Sequence, residues 1–196
     1  MKLLLVRHGE TIDNKRRICQ GQLPGELNEN GRLQARALAT ALTQTPIDIC
    51  YTSDLRRAKQ TCEIITSPFT GLTVIEDQRL RERNFGVLQG TVMSDSWNGF
   101  GPMQGAEPME ALYERLQNFM TNITHSHDKQ TVLVVSHGIT LLALTAVCLG
   151  YTLSQINRLA LPANCSVSQL EKNNGTYFTI TKQMTVDPST QQAPIG

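Results

Sequence analysis

The sequence predicts an α/β protein: a three-layer α/β/α sandwich around a mostly parallel central sheet, with an antiparallel edge. Three observations carry this. The apolar runs at residues 3–6 (LLLV) and 132–135 (VLVV) are continuous, so they fit strands buried on both faces rather than half-exposed ones. Stretches with helical periodicity separate such runs. Residues 166–170 and 177–181 flank Asn173-Asn174-Gly175, and Asn-Gly is a hairpin turn signal that would supply the edge.

After the first strand, Asn28 can cap a helix reaching about residue 42, with Leu33, Ala37, Ala41 and Leu42 as its apolar face. Residues 47–52 read as a second strand. Ser53 can cap the helix that follows, whose buried stripe would be Leu55, Ala58, Cys62 and Ile65. Residues 72–75 suggest one more short strand. Pro108 suits a first helical position, ahead of a stripe of Met109, Leu112, Leu116, Phe119 and Ile123. Residues 139–149 are apolar on nearly all sides, which predicts a central helix ended by Gly150. Residues 91–105 form a Gly- and Met-containing loop without periodicity. Residues 1–186 are expected to be a single domain and residues 187–196, polar and Pro-containing, a disordered tail.

The formal net charge of +1 gives no reason to expect nucleic acid or an anionic membrane as partner, so anion binding must come from local clustering. The five cysteines are scattered and form no CxxC pair, which argues against a disulfide framework or a structural zinc site and for a cytoplasmic setting. The first apolar run is too short for a signal peptide, and the longest apolar stretch is too short to span a bilayer.

Ligands of open α/β sheets bind outside the carboxyl ends of the strands. The first strand ends on Arg7-His8-Gly9-Glu10. The second leads to Ser53 and a helix carrying Arg56 and Arg57. The run at 132–135 leads to Ser136-His137-Gly138. Two histidines and at least two arginines therefore converge on one edge. On the helix, Arg56 groups with Lys59, Gln60 and Glu63 as a solvated charge, suited to pair with Glu63 or Asp54. Arg57 falls beside Thr61 and Ile64, in a partly buried first turn, and needs an acidic partner or an anionic ligand.

This set suits phosphoryl transfer. Arginine matches the geometry of phosphate and stays charged. Arg7 and Arg57 can clamp a phosphoryl group while a neutral His8 between them attacks phosphorus. His137 is a further donor to the phosphoryl oxygens. Gly9 and Gly138 leave room for a ligand to come close. The leaving alkoxide needs a proton, and Glu82 in Leu80-Arg81-Glu82-Arg83-Asn84-Phe85-Gly86 is the candidate acid, because a carboxyl facing a phosphate dianion keeps its proton to higher pH. A surface ion pair with its neighbouring arginines is the other reading of Glu82.

With RHGET at Arg7, SDLRRAKQT at Ser53, LRERNFGVLQG at Leu80 and VVSHGIT at Val134, residues 2–150 resemble the histidine phosphatase superfamily, in the branch of cofactor-dependent phosphoglycerate mutase and fructose-2,6-bisphosphatase. The resemblance implies a metal-independent reaction through a phosphohistidine. His8 would be the nucleophile, Arg7, Arg57 and His137 the phosphate pocket, and Glu82 the proton donor. It also implies substrate contacts from Asn14, which would hydrogen-bond the phosphoryl group, and from Gln20 and Gly21. The family's Asp and Pro-Leu-Thr before its first long helix are absent, and its Pro-Gly-Gly-Glu-Ser appears as Met103-Gln104-Gly105-Ala106-Glu107-Pro108.

The family's mutases carry a long insertion after the general acid, whereas only residues 90–107 stand here before the next helix. A mutase must shield its intermediate from water, so hydrolysis of a small phosphorylated metabolite by a monomer or homodimer is the reading, with mutase-type transfer as the alternative. Lys15, Arg16, Arg17 and Arg83 could hold a second phosphate or carboxylate of the substrate, or be a solvated basic loop. A non-catalytic phospholigand-binding protein, or a metal-binding module built on His125-Ser126-His127-Asp128, is the remaining class. No metal or other cofactor is expected.

Overall fold

A computed structural model describes residues 1–94, 97, 99–172 and 177–186. The Asn173-Asn174-Gly175 turn and the expected disordered tail, 187–196, lie outside the described residues. Strands β1 (Lys2–Arg7), β2 (Ile49–Thr52), β3 (Thr73–Glu76), β4 (Thr131–Ser136), β5 (Val167–Lys172) and β6 (Phe178–Met184) form one sheet in the order β3-β2-β4-β1-β5-β6. The first four are mutually parallel. β5 runs antiparallel to β1, and β6 antiparallel to β5, so the expected antiparallel edge is present.

The helices are the short α1 (Ile12–Lys15), α2 (Glu29–Leu42), α3 (Arg56–Thr66), α4 (Met109–Ser126) and α5 (Gly138–Leu149). The pleat of β1 splits the core in two. Leu4 and Val6 pack with Ala35, Leu38, Ala58, Cys62 and Ile65 of α2 and α3. Leu3 and Leu5 pack with Leu112, Leu116, Phe119, Ile139 and Ala143 of α4 and α5. These are the two outer layers. β1 feeds α2 on one face while its neighbour β4 feeds α5 on the other. The chain therefore diverges between their carboxyl ends, and that divergence opens a crevice.

Three expectations are corrected. The buried residues of α2 are Gly31, Ala35, Ala37, Leu38, Ala39 and Leu42, so Ala37 and Leu42 are inside as expected, while Leu33 is 44% exposed and Ala41 is exposed. The cause is close packing on the loop after β1. A Cβ on Gly31 would lie 2.0 Å from the Glu10 carbonyl oxygen, and one on Gly9 2.5 Å from that of Gly31. Gly9 is thus required by helix contact, not by ligand approach. Glu10 belongs to the same junction: its carboxylate accepts from Asn28 Nδ2, and its backbone NH donates to Gln34 Oε1 at 2.9 Å. Asn28 caps α2 as expected, accepting from the Gly31 NH at 2.8 Å. Ser53 does not cap α3. The helix begins two residues later, after Leu55.

Candidate active site

The residues following β1, β2 and β4 meet in one pocket of about 110 Å³, lined by Arg7, His8, Asn14, Gln20, Gly21, Arg57, Glu82 and Gly138 on its polar side. Backbone bonds lock the strand ends together: the His8 NH donates to the Ser136 carbonyl and the Ser53 NH to that of Val135.

His8 is buried, and its protonation is dictated by two partners. Nδ1 lies 2.8 Å from the Gly9 carbonyl oxygen, which can only accept, so Nδ1 carries the hydrogen. Nε2 accepts from Arg57 Nε at 3.3 Å, so it carries a lone pair. Burial, then the charges of Arg57 and Arg7, hold this imidazole well below its ordinary value of 6.5, and it is neutral at physiological pH.

Arg57 is only 1% exposed, more buried than its periodicity suggests. It donates Nη1 to the Leu23 carbonyl at 3.1 Å and Nη2 to that of Gly21 at 2.7 Å. Its side-chain partners are therefore carbonyls and an imidazole, all neutral. Burial draws it down to about 10, with Arg7 adding and Glu82 opposing, so it stays charged at neutral pH. A buried cation without a bonded anion favours an anionic ligand. Arg56, by contrast, is exposed and pairs with Glu26 at 2.7 Å, not with Glu63 or Asp54. Asp54 is taken by Arg81 at 2.8 Å. Arg7 donates Nη1 to the Pro162 carbonyl at 2.7 Å.

His137 is fully buried just before α5. Its Nε2 lies 2.8 Å from Ser53 Oγ, and its ring centroid is 5.2 Å from that of His8. Burial first, then Arg57 and His8, hold it well below 6.5. Glu82 sits against the first turn of α5. Its Oε1 accepts from the NH groups of Arg83 (2.9 Å) and Thr140 (3.0 Å) and from Thr140 Oγ1 (2.9 Å), and Oε2 accepts from the Ile139 NH at 3.2 Å. It forms no ion pair with the described residues. Helix N-termini attract negative charge for the reason seen here: free NH groups.

Asn14 and Thr11 form a reciprocal capping box on α1, which uses Asn14 Oδ1, and Asn14 lines the pocket. Gln20 donates Nε2 to Thr11 Oγ1 at 2.9 Å. Gly21 has φ of 52°, and a Cβ there would meet Gln89 Oε1 at 2.0 Å, so this position of the loop demands glycine. At Gly138 a Cβ would touch Arg7 at 3.5 Å.

Arg83 is not in the pocket, which corrects its placement as a substrate contact. It is 2% exposed and turned the other way, donating to the carbonyls of Glu107 (2.8 Å), Gly99 (2.6 Å) and Gly101 (3.3 Å). Neighbours in an irregular segment face opposite sides, and Glu82 takes the inner one. Lys15 and Arg16 line neither this pocket nor the cavity beside it, whereas Arg17 lines that cavity. His127 of the candidate metal cluster is held by Tyr51 Oη at 2.9 Å and Gln130 Oε1 at 2.6 Å, and no group of three or more His, Cys, Asp or Glu placed to hold a metal occurs among the described residues.

Several residues escaped the sequence reading. Ser53 orients His137. Thr61 accepts from the Gly9 NH at 3.0 Å and donates to the Arg57 carbonyl at 2.7 Å. Thr140 holds Glu82, and Asn164 Nδ2 donates to the His8 carbonyl at 2.9 Å. Thr61 and Thr140 lie four and three residues after Arg57 and His137, so helical spacing points to them. Asn164 returns from far along the chain and carries no local signal. Four buried side-chain polar atoms have no hydrogen-bond partner among the described residues: Arg7 Nε, Gln20 Oε1, His137 Nδ1 and Trp97 Nε1. Three of these residues line the pocket and the fourth packs against His8. Unpaired buried groups concentrate where a polar ligand would satisfy them.

A curated relative from Serratia proteamaculans, "Probable phosphoglycerate mutase GpmB", is 34% identical over 191 residues, 91% of this chain and 88% of that protein. "Phosphoglycerate mutase-like protein 4" of Arabidopsis thaliana is 35% identical over 152 residues, 70% of this chain and 66% of that one. Among solved structures, a mycobacterial glucosyl-3-phosphoglycerate phosphatase complexed with VO3 superposes with a TM-score of 0.84 at 28% identity, covering 92% of this chain and 97% of that chain. An α-ribazole-5'-P phosphatase of Escherichia coli, described as putative, gives 0.82 at 25% identity, covering 95% and 96%. The model of the histidine phosphatase superfamily (branch 1) matches residues 3–183, in keeping with the strand-end arginines and histidines, and the chain belongs to that family.

Proposed function

We propose that the protein hydrolyses small phosphomonoesters through a phosphohistidine on His8, without a metal ion. The observation that carries this is the state of His8: neutral, with Nδ1–H fixed on the Gly9 carbonyl and the Nε2 lone pair facing the buried guanidinium of Arg57, with the charge of Arg7 close by. Such a nitrogen is a nucleophile toward phosphorus, and such surroundings stabilise the charge on the equatorial oxygens.

In the proposed reaction His8 Nε2 attacks phosphorus and forms the P–N bond as the P–O bond to the alcohol breaks. Glu82 gives its proton to the leaving oxygen. Water then attacks the phosphohistidine and loses a proton to Glu82, the P–N bond breaks, and inorganic phosphate leaves. Arg7, Arg57 and Asn14 hold the phosphoryl oxygens. His137 reaches them through Nδ1–H, which requires the Ser53 hydroxyl to donate to Nε2. Gln20, Gly21 and Gly138 shape the pocket wall.

Mutase-type transfer is the second reading, carried by the names of the curated relatives. The segment 90–107 speaks for hydrolysis: it is short, and Arg83 ties down its residues Gly99, Gly101 and Glu107. Turnover of p-nitrophenyl phosphate with chelator present tests the proposal. Activity should survive chelation and fall at least ~10³-fold in His8→Ala. Full activity in that variant removes His8 as nucleophile. A mutase assay primed with 2,3-bisphosphoglycerate separates the two readings.

A further inference from the structure

We propose that the alcohol half of the substrate is apolar, so that the protein acts on phosphomonoesters of alkyl or aryl alcohols in preference to those bearing a second anion. This rests on the phosphatase reading above and names the substrate class for the same site.

The phosphate pocket does not end at its polar residues. It shares Met93, Trp97, Ile139 and Leu161 with a second cavity of about 410 Å³, a volume within the range of small-molecule sites (about 300–1,000 Å³). The inner space of about 110 Å³ has the size of a phosphoryl group and little more. The body of an ester bound there must extend over the shared wall. That wall is hydrocarbon and sulfur apart from one indole NH. Beyond it the outer cavity continues past Phe100 and Leu159, with Arg17 and Ser94 as its polar lining.

Arg17 lines only the outer cavity, beyond the shared wall, and the other cations close by are engaged elsewhere. Arg83 is used on three carbonyls, Arg115 on Glu107 and Arg81 on Asp54. A carboxylate or second phosphate on the shared wall would lose its water against apolar groups. An alkyl chain would instead cover Leu161, which is 52% exposed. Ile139 links this wall to the chemistry. Its NH holds Glu82 Oε2, while the residue lines both cavities, so a body resting there keeps the leaving oxygen beside the proposed proton donor.

Calorimetric titration with n-alkylphosphonates from ethyl to octyl reads this subsite alone, because these compounds cannot be hydrolysed. Affinity should rise with chain length, by up to roughly fourfold per buried methylene. 3-Phosphonopropionate, of similar length to butylphosphonate but with a carboxylate end, should bind at least ~10-fold more weakly than it. Leu161→Asp, at an exposed position, should flatten the chain-length dependence. Equal affinity along the series, or tighter binding of 3-phosphonopropionate, overturns the proposal. Turnover of the matching n-alkyl phosphates is read separately. If none is hydrolysed while the phosphonates still bind in graded fashion, the phosphatase reading fails and the apolar subsite stands.

Discussion

At the inner end of the pocket, Arg7, His8 and His137 stand at the ends of β1 and β4, and Arg57 in the first turn of α3. At the outer end, Met93, Trp97 and Leu161 stand on connections between elements. The inner residues are held from several sides: Arg57 by three acceptors, Glu82 by four donors. The side chains of the outer ones are placed by packing, such as the edge-to-face pair of Phe85 and Trp97 with centroids 5.1 Å apart. A transition state tolerates little error in the position of charges, whereas an apolar body fits any wall of roughly the right shape. On the proposed reading, the densely hydrogen-bonded positions at the strand ends, in the first turn of α3 and in the segment carrying Glu82 set the chemistry, and the packed wall of Met93, Trp97 and Leu161 chooses the ester.

The comparison breaks first at Glu82. If it protonates the leaving group, Glu82→Gln should slow alkyl phosphates by about 10²- to 10⁴-fold and p-nitrophenyl phosphate far less, because nitrophenolate leaves without a proton. Equal losses on both would assign Glu82 to positioning only. Next come two buried arginines that look alike in the sequence. Arg57→Leu should cost about 10²- to 10³-fold in kcat/KM and weaken inhibition by inorganic phosphate. Arg83→Leu should leave the phosphate inhibition constant within about threefold and lower the urea midpoint instead, since it strips donors from three carbonyls.

The smallest effect is on stability. His8 and His137 are both depressed, so the unfolded chain binds more protons than the folded one below about pH 6.5. Their stabilisation is complete above that value and is lost as the pH falls, by up to about 1.4 kcal/mol per pH unit for each histidine. Urea unfolding at pH 7.5, 6.5 and 5.5 measures the slope, and His137→Gln should reduce it by about half.

The inner end is also the part that sequence discloses. Four apolar residues running into Arg7-His8 can only be a buried strand that delivers a polar pair, and the periodicity of α3 separates Arg57 from Arg56. What sequence hides is set by contacts between distant segments. The α2 face is turned because Gly31 meets the backbone of Gly9 and Glu10, which no apolar pattern records. Arg83 follows Glu82 directly, and only the path of residues 99–107 decides that it faces away. Asn164 and Leu161 reach the site from more than 150 residues beyond His8, in a connection without periodicity.

The central claim is that phosphorus passes through His8 Nε2. Rapid quenching of the protein during turnover of p-nitrophenyl phosphate in chelator, followed by peptide mass spectrometry under alkaline conditions, tests it most directly. The account predicts one phosphoryl group on the peptide containing His8, lost on acid treatment and absent in His8→Ala. Rapid-quench traces with turnover but no phosphorylated peptide at any time, or a phosphoryl group on another residue, would contradict it.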